Sequence, residues 1–327
     1  MKLSESVKNL PGYLVSDGEF RCLAFATEQV QTEFLTFLDR EKFLPSLRKP
    51  GISCVLTTPE LAEQVPAHVQ GVFICERPKA ALFEIHNYLA GCDDYVGPSF
   101  PTKVGNDCQI SPLAVIDNEN IVIGDRVIIE PFAVIKGRVT VGNDAVIRAG
   151  AVVGCKGFSF SKDGEGRNIF VADTAQIILE DQVELFEEVV ISTGIFHWEK
   201  TVIDTNTRVD AQCHIGHGAH IGRNCLIAEG GKCCGNSWIG DHVWVGVAAV
   251  ISNRVRVGCG ARVSIGSVVT KDVPPGETVT GNFAIPHQVF MRNLKNSLQS
   301  TDKRQMSPWG GQPEFLFPAL DLQREAA

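Results

Sequence analysis

The sequence lacks several features that would define other classes of protein. Its 327 residues carry a net charge of −8, so there is no basic surplus for binding nucleic acid. No apolar run approaches the length that crosses a bilayer, and the N-terminus MKLSESVKNL lacks the apolar centre of a signal peptide. We therefore expect a cytoplasmic protein without a membrane span.

Recognisable cysteine motifs are also missing. The sequence has 11 cysteines, but most stand alone, and the adjacent Cys233 and Cys234 lack the spacing of a zinc or redox motif. A buried free cysteine behaves as a small hydrophobic residue. We expect reduced cysteines that pack in a core and hold no metal, which agrees with a cytoplasmic location.

One period dominates the second half of the chain. From residue 203 to 269 every sixth residue is Ile or Val, with one exception, and we call these the interior positions: Ile203, Val209, Ile215, Ile221, Ile227, Cys233, Ile239, Val245, Ile251, Val257, Val263 and Val269. A period of six fits neither a helix nor a flat strand, and it is typical of a parallel β-helix. Because three hexads make one coil, residue n should lie beneath residue n+18, roughly 4.8 Å away.

The same period begins earlier and is interrupted twice. It is present from Val104 to Val153 with one extra residue after Ile116, and a second phase joins the main run if His197 occupies a missing interior position. Residues 154–176 and 194–200 break the period. Glycine often follows an interior position, and we interpret it as a source of unusual backbone angles.

Three regions follow from this pattern. Residues 1–97 mix strand-like and helix-like runs and predict a small α/β domain, residues 104–285 predict the β-helix, and residues 286–327 form a C-terminal tail that begins as a helix. Long loops on a rigid scaffold usually carry function. The two interruptions therefore mark the expected walls of a site.

One histidine stands out on the predicted outer surface. His217 lies two places after Ile215, with Glu199 eighteen residues before it and Gly235 eighteen residues after it. A carboxylate beside the imidazole would raise its pKa, and a glycine on the next coil would expose a backbone N–H. A base and an N–H donor are what acyl transfer requires. Spacing alone leaves two alternatives open, an idle surface histidine and a metal site with His214 and His220.

The surrounding motifs resemble one family. The stretches VVGCKGFSF, VDAQCHIGHGAHIG and AEGGKCCGNSWIG, with FLDREKFLPSL and SCVLTTPE near the N-terminus, are similar to those of the lipid A UDP-3-O-acylglucosamine N-acyltransferases. The resemblance implies a left-handed β-helix and a homotrimer. It also implies that His217 is the general base, that Gly235 supplies an oxyanion-hole amide, and that Asp210 is the partner of the histidine, across a subunit boundary. Glu199 and Asp210 are rival partners.

The resemblance extends to substrate binding. It implies that Phe37 and Phe43 sandwich a nucleotide base, with Arg40 where the family usually has Asn; a guanidinium in that place could reach a phosphate. Phe158 and Phe160 are candidates for an acyl or pantetheine groove, or else anchor their loop. His197, in the second interruption, is a further substrate-binding candidate.

The sequence also departs from the family pattern. Ile191-Ser192-Thr193-Gly194 replaces an acidic-basic pair before glycine, and Arg254 stands where a second histidine is usual. The usual C-terminal helical extension is not evident. These departures leave the identity of the sugar open.

We expect an N-acyltransferase that moves an acyl group from acyl-CoA or acyl carrier protein to the amine of a nucleotide-linked amino sugar, without a resident cofactor. An O-acetyltransferase remains an alternative, because VVTKDVPPGETVTGN resembles hexapeptide acetyltransferases. A zinc-dependent hydrolase and a non-catalytic β-helix are further alternatives.

Overall fold

The N-terminal region is an α/β layer built on a five-stranded sheet. The computed structural model describes residues 1–28, 30–162, 164–281 and 284–302, the last of these with side chains to 297. The sheet has the order β1-β5-β4-β3-β2, in which only β1 is antiparallel to its neighbour. Its strands are β1 (Tyr13–Ser16), β2 (Cys22–Leu23), β3 (Phe34–Leu38), β4 (Ile52–Thr57) and β5 (Gly71–Ile74).

Short helices complete this region. They are α1 (Leu3–Ser6), α2 (Pro78–Leu89), α3 (Asp93–Val96) and two 3-10 helices, Glu41–Arg48 and Pro59–Gln64. Strand β4 is buried along its whole length because β3 and β5 flank it and apolar residues of α2 cover one face. The observed elements agree with the predicted mixture of strands and helices.

The remainder of the chain to residue 281 is a parallel β-helix of three sheets. The nine-stranded sheet contains β7 (Gln109–Ile110), β10 (Ile128–Ile129), β13 (Val146–Ile147), β18 (Glu184–Leu185), β21 (Arg208–Val209), β24 (Leu226–Ile227), β27 (Trp244–Val245), β30 (Arg262–Val263) and β32 (Thr278–Val279). The first eight-stranded sheet contains β8 (Val115–Ile116), β11 (Val134–Ile135), β14 (Val152–Cys155), β19 (Val190–Ser192), β22 (His214–Ile215), β25 (Lys232–Cys233), β28 (Val250–Ile251) and β31 (Val268–Val269). The second contains β6 (Lys103–Val104), β9 (Ile121–Ile123), β12 (Arg138–Val141), β17 (Gln176–Leu179), β20 (Lys200–Ile203), β23 (His220–Ile221), β26 (Trp238–Ile239) and β29 (Arg256–Val257).

The register confirms the predicted coil length. From β20 to β28 each strand pairs with the strand 18 residues later, as in Ile215 with Cys233 and Cys233 with Ile251. The interior positions from 203 to 269 are at most 7% exposed, because each side chain stacks on the one below it inside the coil. All 11 cysteines are free, and six of them are buried.

The glycines after interior positions have a different function from the one expected. Left-handed backbone angles occur two places further on, at residues such as Asn236 and Arg254 with φ of 58° and 63°. A Cβ on Gly216 would instead lie 2.6 Å from the backbone nitrogen of Gly235 on the next coil. Glycine is therefore required at this position by the close approach of successive coils, not by its own φ.

Both predicted interruptions leave the coil. Strand pairing across the first spans 38 residues, 20 more than a regular coil, and includes an antiparallel hairpin of β15 (Phe160–Lys162) and β16 (Asn168–Phe170). Pairing across the second spans 24 residues, so six residues are inserted. Inserting one whole hexad preserves the numerical period, which is why the sequence pattern seemed to continue through His197.

The second insertion packs against the N-terminal region. Phe196 is fully buried in its core, and Trp198 Nε1 donates a hydrogen bond of 2.8 Å to Leu23 O. Beyond residue 283 the described chain is a separate helix, α4 (His287–Asp302), in agreement with the expected helical start of the tail. The rest of the tail lies outside the described residues. None of the helices described is long and apolar enough to cross a bilayer.

Candidate functional site

His217 and Gly235 lie against each other on adjacent coils, as the spacing predicts. A Cβ built on Gly235 would lie 2.6 Å from His217 Nε2 and 2.9 Å from Cε1, so the imidazole occupies the space that any other side chain would fill. The backbone holds the pair together, because Asn236 N donates to His217 O at 2.8 Å. The glycine therefore makes room for the ring.

The Gly235 amide is available to a ligand. Its carbonyl accepts a hydrogen bond of 3.1 Å from Arg254 N, whereas its N–H donates to none of the residues that the structure describes. On other coils the equivalent N–H is paired with a side chain one coil away, as when Arg223 N donates to Asp241 Oδ1 at 2.8 Å. Asn253, the residue one coil above Gly235, makes no such bond.

The environment of His217 favours a neutral imidazole. Burial lowers its pKa below the ordinary value, and the positive charge of Arg254 and the ring of His214 add to this effect. Nδ1 is buried and has no hydrogen-bond partner in the described chain, which costs about 1–3 kcal/mol. A neutral imidazole can accept a proton at neutral pH.

Glu199 does not pair with His217, which corrects one expectation. Because six residues are inserted before it, its carboxylate turns back into the insertion, where Oε2 accepts a hydrogen bond of 3.0 Å from Ile195 N. Burial raises the pKa of Glu199 to about 7. The pKa of His217 is correspondingly lowered, not raised as a neighbouring carboxylate would require.

Asp210 lines a different surface from His217 within one chain. Its Oδ1 accepts a hydrogen bond of 2.8 Å from Ala211 N, and its side chain borders a cavity of about 360 Å³. Phe186, Leu226 and Trp244 supply the apolar part of this cavity. Within one chain, His217 is not among the residues that line this cavity with Asp210.

A polar network that the sequence did not indicate lies beside His217. Ser192 Oγ is 2.9 Å from His214 Nε2 and 3.2 Å from Cys155 Sγ. The Thr201 hydroxyl donates to Ser192 O at 3.1 Å and accepts from Gly218 N at 2.9 Å. Both flanks of His217 are therefore fixed. The signal that could have found this network is Ser192, the residue that departs from the family pattern.

The three histidines do not converge on one point. His214 contacts Ser192, while His220 Nε2 is 3.2 Å from Asp204 and its ring stacks on Trp238. Within the part of the chain that the structure describes, no group of three or more His, Cys, Asp or Glu side chains could hold a metal ion.

The three residues predicted to bind a nucleotide line one cavity of about 270 Å³. Phe37 comes from β3, Arg40 follows that strand, and Phe43 lies in the first 3-10 helix. Phe25 and Lys79 complete the wall, and the rings of Phe25 and Phe37 meet edge to face at 6.2 Å. Ligands of parallel sheets bind at the carboxyl ends of strands, where this cavity lies.

Of the two predicted aromatic residues in the first interruption, Phe160 lies on the hairpin and Phe158 just before it. Phe158 is 96% exposed and contacts Phe160, whose ring centroid is 5.1 Å away. Phe160 lines a cavity of about 420 Å³ together with Arg77, Lys79 and Lys162. This arrangement joins the hairpin to the N-terminal region; Arg77 Nη1 donates to Lys162 O at 3.3 Å.

His197 does not occupy an interior position. The inserted hexad carries it out of the coil, and its ring lies edge to face with Tyr95 at 4.4 Å. Its Nδ1 is buried and has no hydrogen-bond partner among the residues described, and burial together with His86 and Arg138 lowers its pKa. Its predicted role in substrate binding stays a prediction.

Comparison with known proteins agrees with this architecture. Residues 120–155 match the bacterial transferase hexapeptide family (six repeats). A UDP-3-O-acylglucosamine N-acyltransferase of Methylorubrum populi is 32% identical over 154 residues, which are 47% of this chain and 43% of the relative. The enzyme of the same name from Helicobacter hepaticus is 26% identical over 82% of this chain and 85% of its own length.

Among solved structures, a UDP-N-acetylglucosamine acyltransferase from Bacteroides fragilis superposes with a TM-score of 0.50 at 23% identity, over 64% of this chain and 82% of that one. The chain therefore folds as a left-handed parallel β-helix built on a repeat of six residues. Its resemblance to the N-acyltransferases of lipid A synthesis is confirmed. The chain spans less than half of the first of these relatives.

Proposed function

We propose that this protein is an N-acyltransferase that moves an acyl group from a thioester to the amine of a nucleotide-linked amino sugar. The single observation that carries the proposal is the contact between the neutral His217 imidazole and Gly235, whose N–H is unpaired within the described chain. The relatives named UDP-3-O-acylglucosamine N-acyltransferase support the choice of acceptor.

The chemistry requires one proton transfer and one oxyanion site. His217 removes a proton from the neutral sugar amine as its nitrogen attacks the thioester carbonyl carbon. The Gly235 N–H then stabilises the tetrahedral oxyanion. When this intermediate collapses, the carbon–sulfur bond breaks and the thiolate takes the proton from the imidazolium. No resident cofactor is needed for these steps.

The acceptor is proposed to bind in the cavity of about 270 Å³ lined by Phe25, Phe37 and Phe43, which we call the aromatic cavity. A nucleotide base fits between Phe37 and Phe43, since flat rings stack favourably and the cavity opens beside them. Arg40 and Lys79 in the same wall offer positive charge to the phosphates. The donor is acyl-CoA or acyl carrier protein, and Phe158 and Phe160 remain candidates for its groove.

A homotrimer would complete the site. His217 Nδ1 has no partner within the described chain, and Asp210 lies on another surface beside an apolar cavity with Leu226 and Trp244. We propose that Asp210 of a neighbouring subunit assists His217. We propose a cytoplasmic location, because the proposed acceptor and acyl donor are both soluble molecules.

The test is a thiol-release assay across a panel of amino-sugar nucleotides and acyl thioesters. Release that depends on the amino sugar, with an amide product, supports the proposal. An ester product would favour the O-acetyltransferase alternative, and release that is independent of any sugar nucleotide would overturn the proposal.

A further inference from the structure

Arg254 is hydrogen-bonded through its backbone to Gly235, the residue whose N–H is proposed to bind the oxyanion. It lies in the left-handed turn after β28, and its backbone N–H donates to Gly235 O at 3.1 Å. Its backbone is therefore fixed next to the residue whose N–H we assign to the oxyanion. Its guanidinium is free to extend to a partner beyond the coil.

That partner is in the N-terminal region. Arg254 Nη2 is 2.7 Å from Glu28 Oε1, and the two side chains are 54% and 25% exposed. Among the ion pairs of the described residues, this is the one that joins residues 1–97 to the β-helix.

Glu28 is in turn anchored to the wall of the aromatic cavity. Its N–H donates to Phe25 O at 2.9 Å, and Lys49 Nζ donates to Thr27 O at 2.7 Å. Phe25 and Thr27 both line that cavity. The Glu28 carboxylate therefore connects the wall of the aromatic cavity to Arg254, which is hydrogen-bonded to Gly235.

We propose that Glu28 and Arg254 form a positioning pair through which the wall of the aromatic cavity controls the placement of positive charge beside His217. Neither residue touches the reacting atoms. The inference deepens the proposed function, since it rests on His217 as the base and on the aromatic cavity as the acceptor site.

The charges around His217 give this pair a measurable signature. Burial is the largest cause of the lowered pKa of His217, and the charges of Arg254 and His214 lower it further. The negative charge of Glu28 raises the pKa of Glu199, and the positive charge of Arg254 lowers it. Both members of the pair therefore act electrostatically on a second titratable group, Glu199. The positive charge of Lys232 helps to lower the pKa of the neighbouring His214.

The two single variants should therefore shift the pKa of His217 in opposite directions. In R254Q the positive charge is removed and the pKa rises. In E28Q the guanidinium loses its counter-charge and the pKa falls. The charge reversal E28R/R254E restores an ion pair between the same positions while placing a carboxylate near the ring, so the pKa rises above that of R254Q.

Histidine NMR titration of the full chain measures these pKa values without substrate. A matched control is R126Q, because the Arg126–Asp144 pair is also 2.7 Å long and Arg126 is also 54% exposed, but lies on another turn. This control should leave the His217 titration unchanged. A His217 pKa that moves in the same direction in E28Q and R254Q, or that does not move in either variant, would overturn the inference.

A kinetic measurement completes the test. If the pair positions the site, E28Q should lower kcat by about 3–10-fold. In E28R/R254E the restored ion pair should return kcat toward the wild-type value, whereas the pH dependence of kcat should stay shifted because a carboxylate now lies near the ring. A chain that releases no thiol with any acceptor would contradict the proposed function, whereas the NMR result would still decide the role of the pair. The two failures are therefore distinguishable.

Discussion

The imidazole of His217 occupies the space that a Cβ on Gly235 would take, 2.6 Å from Nε2. One residue thus determines the identity of the other across two coils. The relationship explains why glycine stands at this outward position two places after Cys233, and it makes the glycine as important to the site as the histidine.

The variant G235A should lower kcat by about 100-fold with little loss of stability, because the added methyl group displaces the flexible ring and not the backbone. Thiol release and thermal unfolding measure the two effects. G281A is the control, since a Cβ there meets no atom within 4 Å. Normal turnover in G235A would show that the ring position is unimportant.

Glu199 should make stability fall as the pH rises. Burial raises its pKa to about 7 from an ordinary value of 4.5, so the folded state holds the proton more tightly than the unfolded state. This contribution is fully present below pH 4.5 and is lost as the pH rises through 7. It amounts to roughly 3 kcal/mol.

E199Q keeps an acceptor for Ile195 N but cannot ionise. The wild type should therefore lose stability relative to E199Q between about pH 4.5 and pH 7, with no further loss above about pH 8, and thermal unfolding at several pH values measures the difference. A difference that is constant over this range would contradict the assigned pKa.

The aromatic cavity should bind uridine monophosphate through stacking. F37A and F43A should each weaken binding by about 10-fold, the value of roughly 1–3 kcal/mol per stacked base. Isothermal calorimetry measures the affinity. F160A, in the second cavity, should bind like the wild type, and equal losses in all three variants would refute a specific stacking site.

If Asp210 assists His217 across a subunit boundary, mixed oligomers should recover activity. D210A and H217A are each expected to be nearly inactive, whereas a mixture refolded together contains some sites with both native residues. Recovery of about one quarter of wild-type turnover is the simple statistical expectation for paired sites, with light scattering to confirm three chains per particle. No recovery in a mixed trimer would exclude the shared site.

Much of this fold could be predicted from the sequence because one physical rule repeats. Apolar residues at every sixth position stack inside the coil, so Ile215, Cys233 and Ile251 fall into one column and the outward position of His217 relative to Gly235 follows. The cluster of Phe37 and Phe43 depended on resemblance, since two phenylalanines six apart are equally compatible with a core.

The errors arose where local insertions change the register. Six inserted residues turn the Glu199 carboxylate to Ile195 and carry His197 onto Tyr95. The coil there is 24 residues long, but the period of six in the sequence is unaffected. Long-range contacts such as Arg254 with Glu28 have no periodic signal, because they depend on how the N-terminal region packs on the coil.

The most direct test of the account compares the wild type with H217N for thiol release and amide product, using acyl thioester and an amino-sugar nucleotide. H242N, at an exposed histidine, is the control. We predict sugar-dependent release that falls by at least about 100-fold in H217N and is unchanged in H242N. Near-normal release in a folded H217N protein would contradict the assignment of His217 as the base.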